Sequence, residues 1–274
     1  MNYQYDLIII GDSKEGREIV KALASATSFI NIAFVSHEFK STTTHDYLNV
    51  DYIKDEVVLT DYKNRLFGCY LKSGSRLYAT HIVFAVGQKY TPFTVNNKSV
   101  PNVFNTTADI PKEAKKLPAI VLVRTEADVA MAFEIAKKYK YAYLCLDEFS
   151  GKVSEAVNKK LQTKQSSNIV VLPNTHIKKV SVHDETLVNV ELDNYSTVLC
   201  AAIYVKTEAS PDTACISARS GLIKANEFGY LETNDRLEST LVPKCFAVGS
   251  CTQKCTKKMV NSLIEAILTD FGGN

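Results

Sequence analysis

Apolar positions along this chain follow two spacings: short runs bounded by turn formers, and stretches in which they recur every three or four residues. The first run, Leu7-Ile8-Ile9-Ile10, suits a strand buried on both faces, and helical spacing over residues 16–23 follows with room only for a tight turn. Residues 29–35 read as a second, parallel strand. Between residues 40 and 80, short apolar runs at 56–59, 66–71 and 76–78 alternate with turn residues, which predicts a small antiparallel meander. Residues 81–87 return to a buried strand that ends in Gly87.

A second unit begins at Pro118, with a strand at 119–123, a helix at 126–139 and a strand at 141–146. A helix at 153–161 and a strand at 168–172 follow, then β segments at 177–182, 188–192 and 202–205. Residues 113–210 therefore repeat, in order, the strand, helix, strand and meander plan of residues 5–87. The tail adds a strand at 244–249 with a glycine exit and an amphipathic helix at 256–271. The predicted class is α/β, with two Rossmann-like βαβ domains that each carry an antiparallel β-meander.

Composition narrows the function. A chain of 274 residues with 46% hydrophobic content holds one large domain or two ordinary ones, each with a real core. The 32 basic and 30 acidic residues nearly cancel, so no nucleic-acid partner is expected. No apolar run approaches the roughly 18–20 residues of a membrane span, and Met1-Asn2-Tyr3-Gln4 does not resemble a signal peptide, so no membrane partner is expected either. Seven cysteines, an odd number without a small-domain framework, point to buried thiols in a reducing compartment and so to a cytoplasmic protein.

The first turn reads G-x-S-x-x-G at Gly11, Ser13 and Gly16, a dinucleotide fingerprint whose second glycine is replaced. The first glycine of that motif makes the turn, the second admits a pyrophosphate, and the third lets helix and strand pack closely. Ser13 crowds the pyrophosphate position, and Asp12 and Glu15 bring negative charge to a helix N-terminus that otherwise attracts phosphate. Lys14 and Arg17 are placed to offset that charge. Ser36 stands at the tip of the second strand, where an acidic residue would hold a ribose, and Glu38 is the carboxylate within reach of it.

The order of elements resembles the two-dinucleotide-domain flavoprotein reductases, the thioredoxin reductase and pyridine nucleotide-disulfide oxidoreductase group, over nearly the whole chain. The resemblance implies an FAD/NAD(P)-binding type of fold with the second domain inserted in the first. Residues 1–112 and 211–274 would form the split FAD domain and 113–210 the inserted NAD(P) domain. It implies FAD contacts at Gly11, Ser13 and Gly16, at Gly87 of Ala85-Val86-Gly87, and at Gly249 and Ser250 of Ala247-Val248-Gly249-Ser250, to which the charge of Lys14 and the reach of Glu38 add two further cofactor-binding candidates. Two of these depart from the family pattern: Ser13 replaces a glycine, and Ser250 replaces an aspartate that binds the flavin ribityl chain. The second fingerprint has become Val123-Arg124-Thr125-Glu126-Ala127-Asp128, without a glycine, so NAD(P)H binding in the usual mode is not expected.

Neither of the family's redox-active cysteine spacings is present. The one close pair is Cys251 and Cys255, a C-x-x-x-C entering the last helix; Lys254, Lys257, Lys258 and the helix N-terminus would lower a thiol pKa there. Two ordinary buried cysteines are the alternative. His81 and His176 lack partners at metal-ligand spacing and read as structural, so no metal is expected. Lys112 to Lys116 and Lys257-Lys258 read as solvated helix faces.

The resemblance implies an FAD-binding oxidoreductase-like protein, a homodimer, that takes electrons from a donor other than NAD(P)H, such as a small redox protein. The alternative is a cofactor-free relative kept as a binding or scaffold subunit, because ligand-facing positions have changed while packing glycines remain. A third reading is a binder of some other nucleotide, with Lys14 and Arg17 replacing backbone contacts.

Overall fold

A computed structural model describes residues 2–39, 47–106, 117–146, 151–163, 167–194, 196–213, 216 and 221–272. Lys112 to Lys116 lie outside them. The chain divides into two compact units, Met1–Lys89 with Ala209–Asn274, and Tyr90–Glu208. The second unit thus begins well before the boundary at 112/113 expected from the sequence. The reason is that residues 103 and 104 form an edge strand of the second unit's own sheet.

In the first unit, β1 (Asn2–Ile10) leads into α1 (Lys14–Ala26), then β2 (Ile32–Ser36), β3 (Val50–Lys54), β4 (Val57–Lys63), β5 (Leu66–Leu71), β6 (Arg76–Phe84) and the short β7 (Gln88–Tyr90). The sheet order is β3-β2-β1-β6-β5-β4. β1 is parallel to both β2 and β6, while β4 and β5 continue antiparallel. The sequence suggests two separate strands at 76–78 and 81–87, but β6 is continuous. Its first half pairs with β5 and its second half with a strand from the chain's tail, at Cys245–Ala247. The predicted strand at 29–35 starts only at Ile32, because Phe29 is solvent-exposed. β3 has a mixed burial pattern and no clean alternation, which is why it escapes a reading by periodicity.

The strands of β1 and β2 send alternate residues to opposite faces. Leu7, Ile9, Ile32 and Phe34 meet Ile19, Val20 and Leu23 of α1 together with Val260, Leu263 and Ile267 of the C-terminal helix. Ile8, Ile10, Ala33 and Val35 meet Phe67, Cys69 and Leu77 of the meander and Leu222 and Leu231 of the tail. Both faces are apolar, which is why these strands read as continuous runs. Each such buried side chain contributes about 1.5–3 kcal/mol, and a one-residue register slip would exchange the two faces.

The second unit contains β8 (Thr94–Val95), β9 (Lys98–Ser99), β10 (Val103–Phe104), β11 (Pro118–Val123), α2 (Glu126–Ala136), β12 (Tyr141–Leu146), α3 (Gly151–Thr163), β13 (Ile169–Pro173), β14 (Ile177–Val182), β15 (Val188–Leu192), β16 (Thr197–Cys200) and β17 (Ala202–Tyr204). A parallel sheet in the order β10-β17-β11-β12-β13 carries α2 and α3 on one face, through Ala119, Val121, Val129, Phe133, Val153 and Val157. Its other face is covered by the β14-β15-β16 meander, where Ile120 and Leu122 meet Val188, Val190 and Leu192.

The tail returns to the first unit with β18 (Ala209–Pro211), β19 (Cys245–Ala247) and α4 (Lys257–Gly272). β19 lies parallel to β6, with Phe246 opposite Val83. Lys257 and Lys258 are exposed on the first turn of α4. No helix among the described residues is long and apolar enough to cross a membrane.

Candidate functional site

The first unit gathers its candidates where β1, β6 and β19 end. Gly11 leaves β1 at φ +100°, and its N–H donates to the Val35 carbonyl at 2.8 Å. A Cβ at Gly11 would collide with the Ala85 carbonyl, so the close approach of β6 requires glycine. A Cβ at Gly16 would stand 2.8 Å from the Ala85 Cβ and 2.9 Å from the Gly11 carbonyl, so this glycine serves helix-to-strand packing. Ser13 is the N-cap of α1; its Oγ accepts a hydrogen bond from the Gly16 N–H at 3.1 Å. That N–H is one of the donors a phosphate would need.

Charge at this turn is internally committed. Arg17 Nη1 donates to the Asp12 carbonyl at 2.7 Å and pairs with the Asp12 carboxylate at 3.2 Å. Lys14 is exposed. Glu15 points the other way: its Oε2 lies 2.6 Å from where a Cβ on Gly249 would be, and Ser13 Oγ lies 3.6 Å from the same point. The carboxylate and the hydroxyl therefore fill the space between the α1 N-terminus and Gly249, which opens the 3-10 turn Gly249–Cys251 at φ +77°. Gly87 and Ser250 face one another, the Ser250 Oγ standing 3.9 Å from a Cβ built on Gly87.

Beside this cluster lies a cleft of about 580 Å³ with an apolar floor that includes Ile10, Val35 and Val57. Gly11 alone of the eight cofactor candidates lines it. Its polar wall carries Asp12, Asp55, Glu56 and Asp212 against His37 and Lys89. Sequence reasoning missed Asp55, Glu56 and Asp212, which belong to no motif and meet only through the fold. Ser36 lines the cleft, but Glu38 does not; Glu38 is exposed, and its carbonyl accepts from Ser36 Oγ at 2.7 Å. A dinucleotide brings two phosphate charges, and the residues present answer them with carboxylates and an occupied cap. As arranged, they do not fit a pyrophosphate.

The second unit closes its turn by another route. Val123 remains in β11, paired with Leu146 and buried, and the helix begins after the N-cap Thr125. Asp128, at the third helical position, folds its side chain back. Its Oδ2 accepts from the Arg124 N–H at 3.1 Å, the Thr125 N–H at 2.9 Å and Thr125 Oγ1 at 2.9 Å. The amides that face a ligand in a dinucleotide turn are bonded here to the chain's own carboxylate. These residues do not fit a nicotinamide dinucleotide.

The cysteine pair departs from its expected electronics. Cys251 is fully buried in the 3-10 turn and not at the start of α4; its thiol lies 3.1 Å from the Val248 carbonyl, and burial pushes its pKa up to about 11. Burial also raises the half-buried Cys255. The lowered pKa expected from a helix N-terminus and neighbouring lysines is not found, because desolvation by burial is the largest influence on both thiols. His81 is a buried strand residue, with Nδ1 2.9 Å from Thr80 Oγ1 and Nε2 3.2 Å from Asp270. His176 Nδ1 pairs with Asp193 at 2.9 Å. Among the described residues no group of three or more His, Cys, Asp or Glu is placed to hold a metal ion.

The family model described as pyridine nucleotide-disulphide oxidoreductase matches residues 7–267. The chain belongs to this family. Among solved structures it is similar to a thioredoxin reductase from Streptococcus pyogenes, with a TM-score of 0.61 at 13% identity over 99% of this chain and 100% of that one. It is likewise similar to the Lactococcus lactis thioredoxin reductase, with a TM-score of 0.60 at 12% identity over 98% of each chain. The HOCl-induced flavoprotein disulfide reductase RclA of Escherichia coli matches with a TM-score of 0.61 at 15% identity, over 98% of this chain and 72% of that one. No curated protein matches at the level of sequence. The expected fold type, two dinucleotide-binding domains with meanders, is therefore correct. These distant likenesses establish the fold, and the site residues have to be read from this chain itself.

Proposed function

We propose that this chain is a member of the family that works without a bound dinucleotide, as a cytoplasmic protein-binding subunit. One observation carries the reading. At both turns where the fold would receive a pyrophosphate, a side chain of the chain itself takes backbone donors: Ser13 Oγ on the Gly16 amide, and the Asp128 carboxylate on the Arg124 and Thr125 amides. Buried thiols argue against disulfide chemistry, since Cys200, Cys245 and Cys251 are buried. Free thiols also favour a reducing compartment. The partner is a protein, either a redox protein or a second copy of this chain, and not nucleic acid or membrane.

A second reading keeps FAD. Glu15 is only half-buried, so its carboxylate can swing toward water and free the space beside Gly249. Gly87 and Ser250 would then border a flavin, and electrons would come from a donor other than NAD(P)H. The visible absorption spectrum of the purified protein, before and after incubation with excess FAD and removal of unbound cofactor, separates the two. The first reading expects no flavin band in either sample. It also expects that the double substitution Ser13→Gly with Glu15→Ala allows a band to appear on FAD addition. A yellow wild-type protein overturns it in favour of the second.

A further inference from the structure

We infer that Asp128 is a built-in replacement for a ligand phosphate, and that its carboxylate is what keeps the second unit's turn from binding an oxyanion. This rests on the reading above for the nicotinamide side alone. Three observations carry it. First, Asp128 stands where the fingerprint has its third glycine: Val123, Thr125 and Asp128 in the second unit match Gly11, Ser13 and Gly16 in the first. Both middle residues are helix N-caps, and both last residues are the third residue of their helix, so the match is structural as well as serial.

Second, the bonds made by Asp128 go beyond an ordinary cap. A capping box has two reciprocal bonds, the N-cap side chain accepting from the third residue's N–H and the third residue's side chain accepting from the N-cap N–H, and both are present here. Asp128 Oδ2 also takes the N–H of Arg124, one residue earlier, so that two consecutive turn amides converge on one anionic oxygen. Consecutive amides aimed at one point form an anion-binding concavity, and the positive end of the α2 dipole reinforces it.

Third, the arrangement retains an unsatisfied group. Asp128 is 3% exposed, and its Oδ1 has no hydrogen-bond partner among the described residues. An unpaired buried carboxylate oxygen opposes folding, and Thr125 could cap the helix without it. The convergent amides are what hold a full anion there, since charge-assisted bonds are the strong ones.

Removing the carboxylate should therefore uncover a site for an oxyanion of the phosphate class. The test compares full-length wild type with Asp128→Gly, which restores the fingerprint glycine, and Asp128→Asn, which keeps an acceptor in the turn. Inorganic pyrophosphate is the probe, read by thermal melting and by the backbone amide resonances of Arg124 and Thr125. At pyrophosphate about a hundredfold above its Kd, the Asp128→Gly melting temperature should rise by several degrees, with shifts at both amides. Wild type and Asp128→Asn should show neither change. Asp128→Ser, a smaller disturbance, serves the same test if the glycine variant does not fold. The inference is overturned if the variant lacking the carboxylate gains no pyrophosphate-dependent shift at those amides, or if wild type shows the same one. NADPH binding by the wild type would overturn the reading in the preceding section and this inference with it, whereas a missing shift in Asp128→Gly, with no NADPH bound by wild type, overturns this inference alone.

Discussion

The turn after β1 and the turn after β11 do the same architectural work with different residues. In the first, Gly11 and Gly16 remain because Ala85 comes close to both; in the second, Val123 stays within the strand and no glycine is needed. Each helix start carries an acidic side chain, but with different commitment. Glu15 is half-buried beside Gly249, whereas Asp128 is buried and holds three donors. The contrast teaches that a fingerprint glycine has two separable duties, packing and ligand access. Packing persists where a neighbouring strand enforces it. Nothing in the packing of either turn enforces ligand access in the same way.

The largest effect expected from this contrast is at Gly11. Gly11→Ala forces a Cβ into the Ala85 carbonyl at a φ that L-residues avoid, and should cost about 3 kcal/mol or more, read from the urea midpoint. A loss under about 1 kcal/mol would mean the turn relaxes and that glycine is not required there. Next comes Asp128→Ala, which strips two backbone amides of their partner and should cost about 2 kcal/mol. Glu15→Ala is its counterpart and should leave stability within about 0.5 kcal/mol, since a half-exposed carboxylate is lost. Equal effects at the two carboxylates would erase the distinction between them. Ser13→Ala removes the cap on the Gly16 N–H and should cost about 1 kcal/mol.

The smallest effect separates the units by pH. Burial holds the His81 imidazole below its ordinary pKa of 6.5, against the opposing pull of Asp270, so the folded first unit prefers it neutral. The unfolded chain takes up that proton near 6.5, and the folded chain does so only at lower pH. The contribution is fully present above 6.5 and fades as pH falls below it. The urea midpoint should therefore decrease on acidification, and His81→Gln should flatten that slope. An unchanged slope in the variant would assign the acid sensitivity to other groups.

Much of this was legible along the chain. The β1-turn-α1 unit, the matching β11-turn-α2 unit and the returning tail all declare themselves through local periodicity. The loss of the second fingerprint could be read from the absence of glycine between Val123 and Asp128, but the use made of Asp128 could not. β3 was hidden because its faces are unevenly buried, and β6 was divided because two different partners flank its halves. The Cys251 thiol looked activated from its neighbours in sequence, yet its surroundings in space are apolar and push it up to about 11.

By itself the sequence determined the two βαβ plans, the apolar faces and the replacement of ligand-facing glycines, because these depend on spacing within one element. Tertiary structure alone decided that Glu15 lies against Gly249, and that Asp55, Glu56 and Asp212 make the cleft acidic. Those outcomes depend on which side chains meet across strands and turns far apart in the chain. At such meeting points distance and burial set the electrostatics, and residue type alone does not.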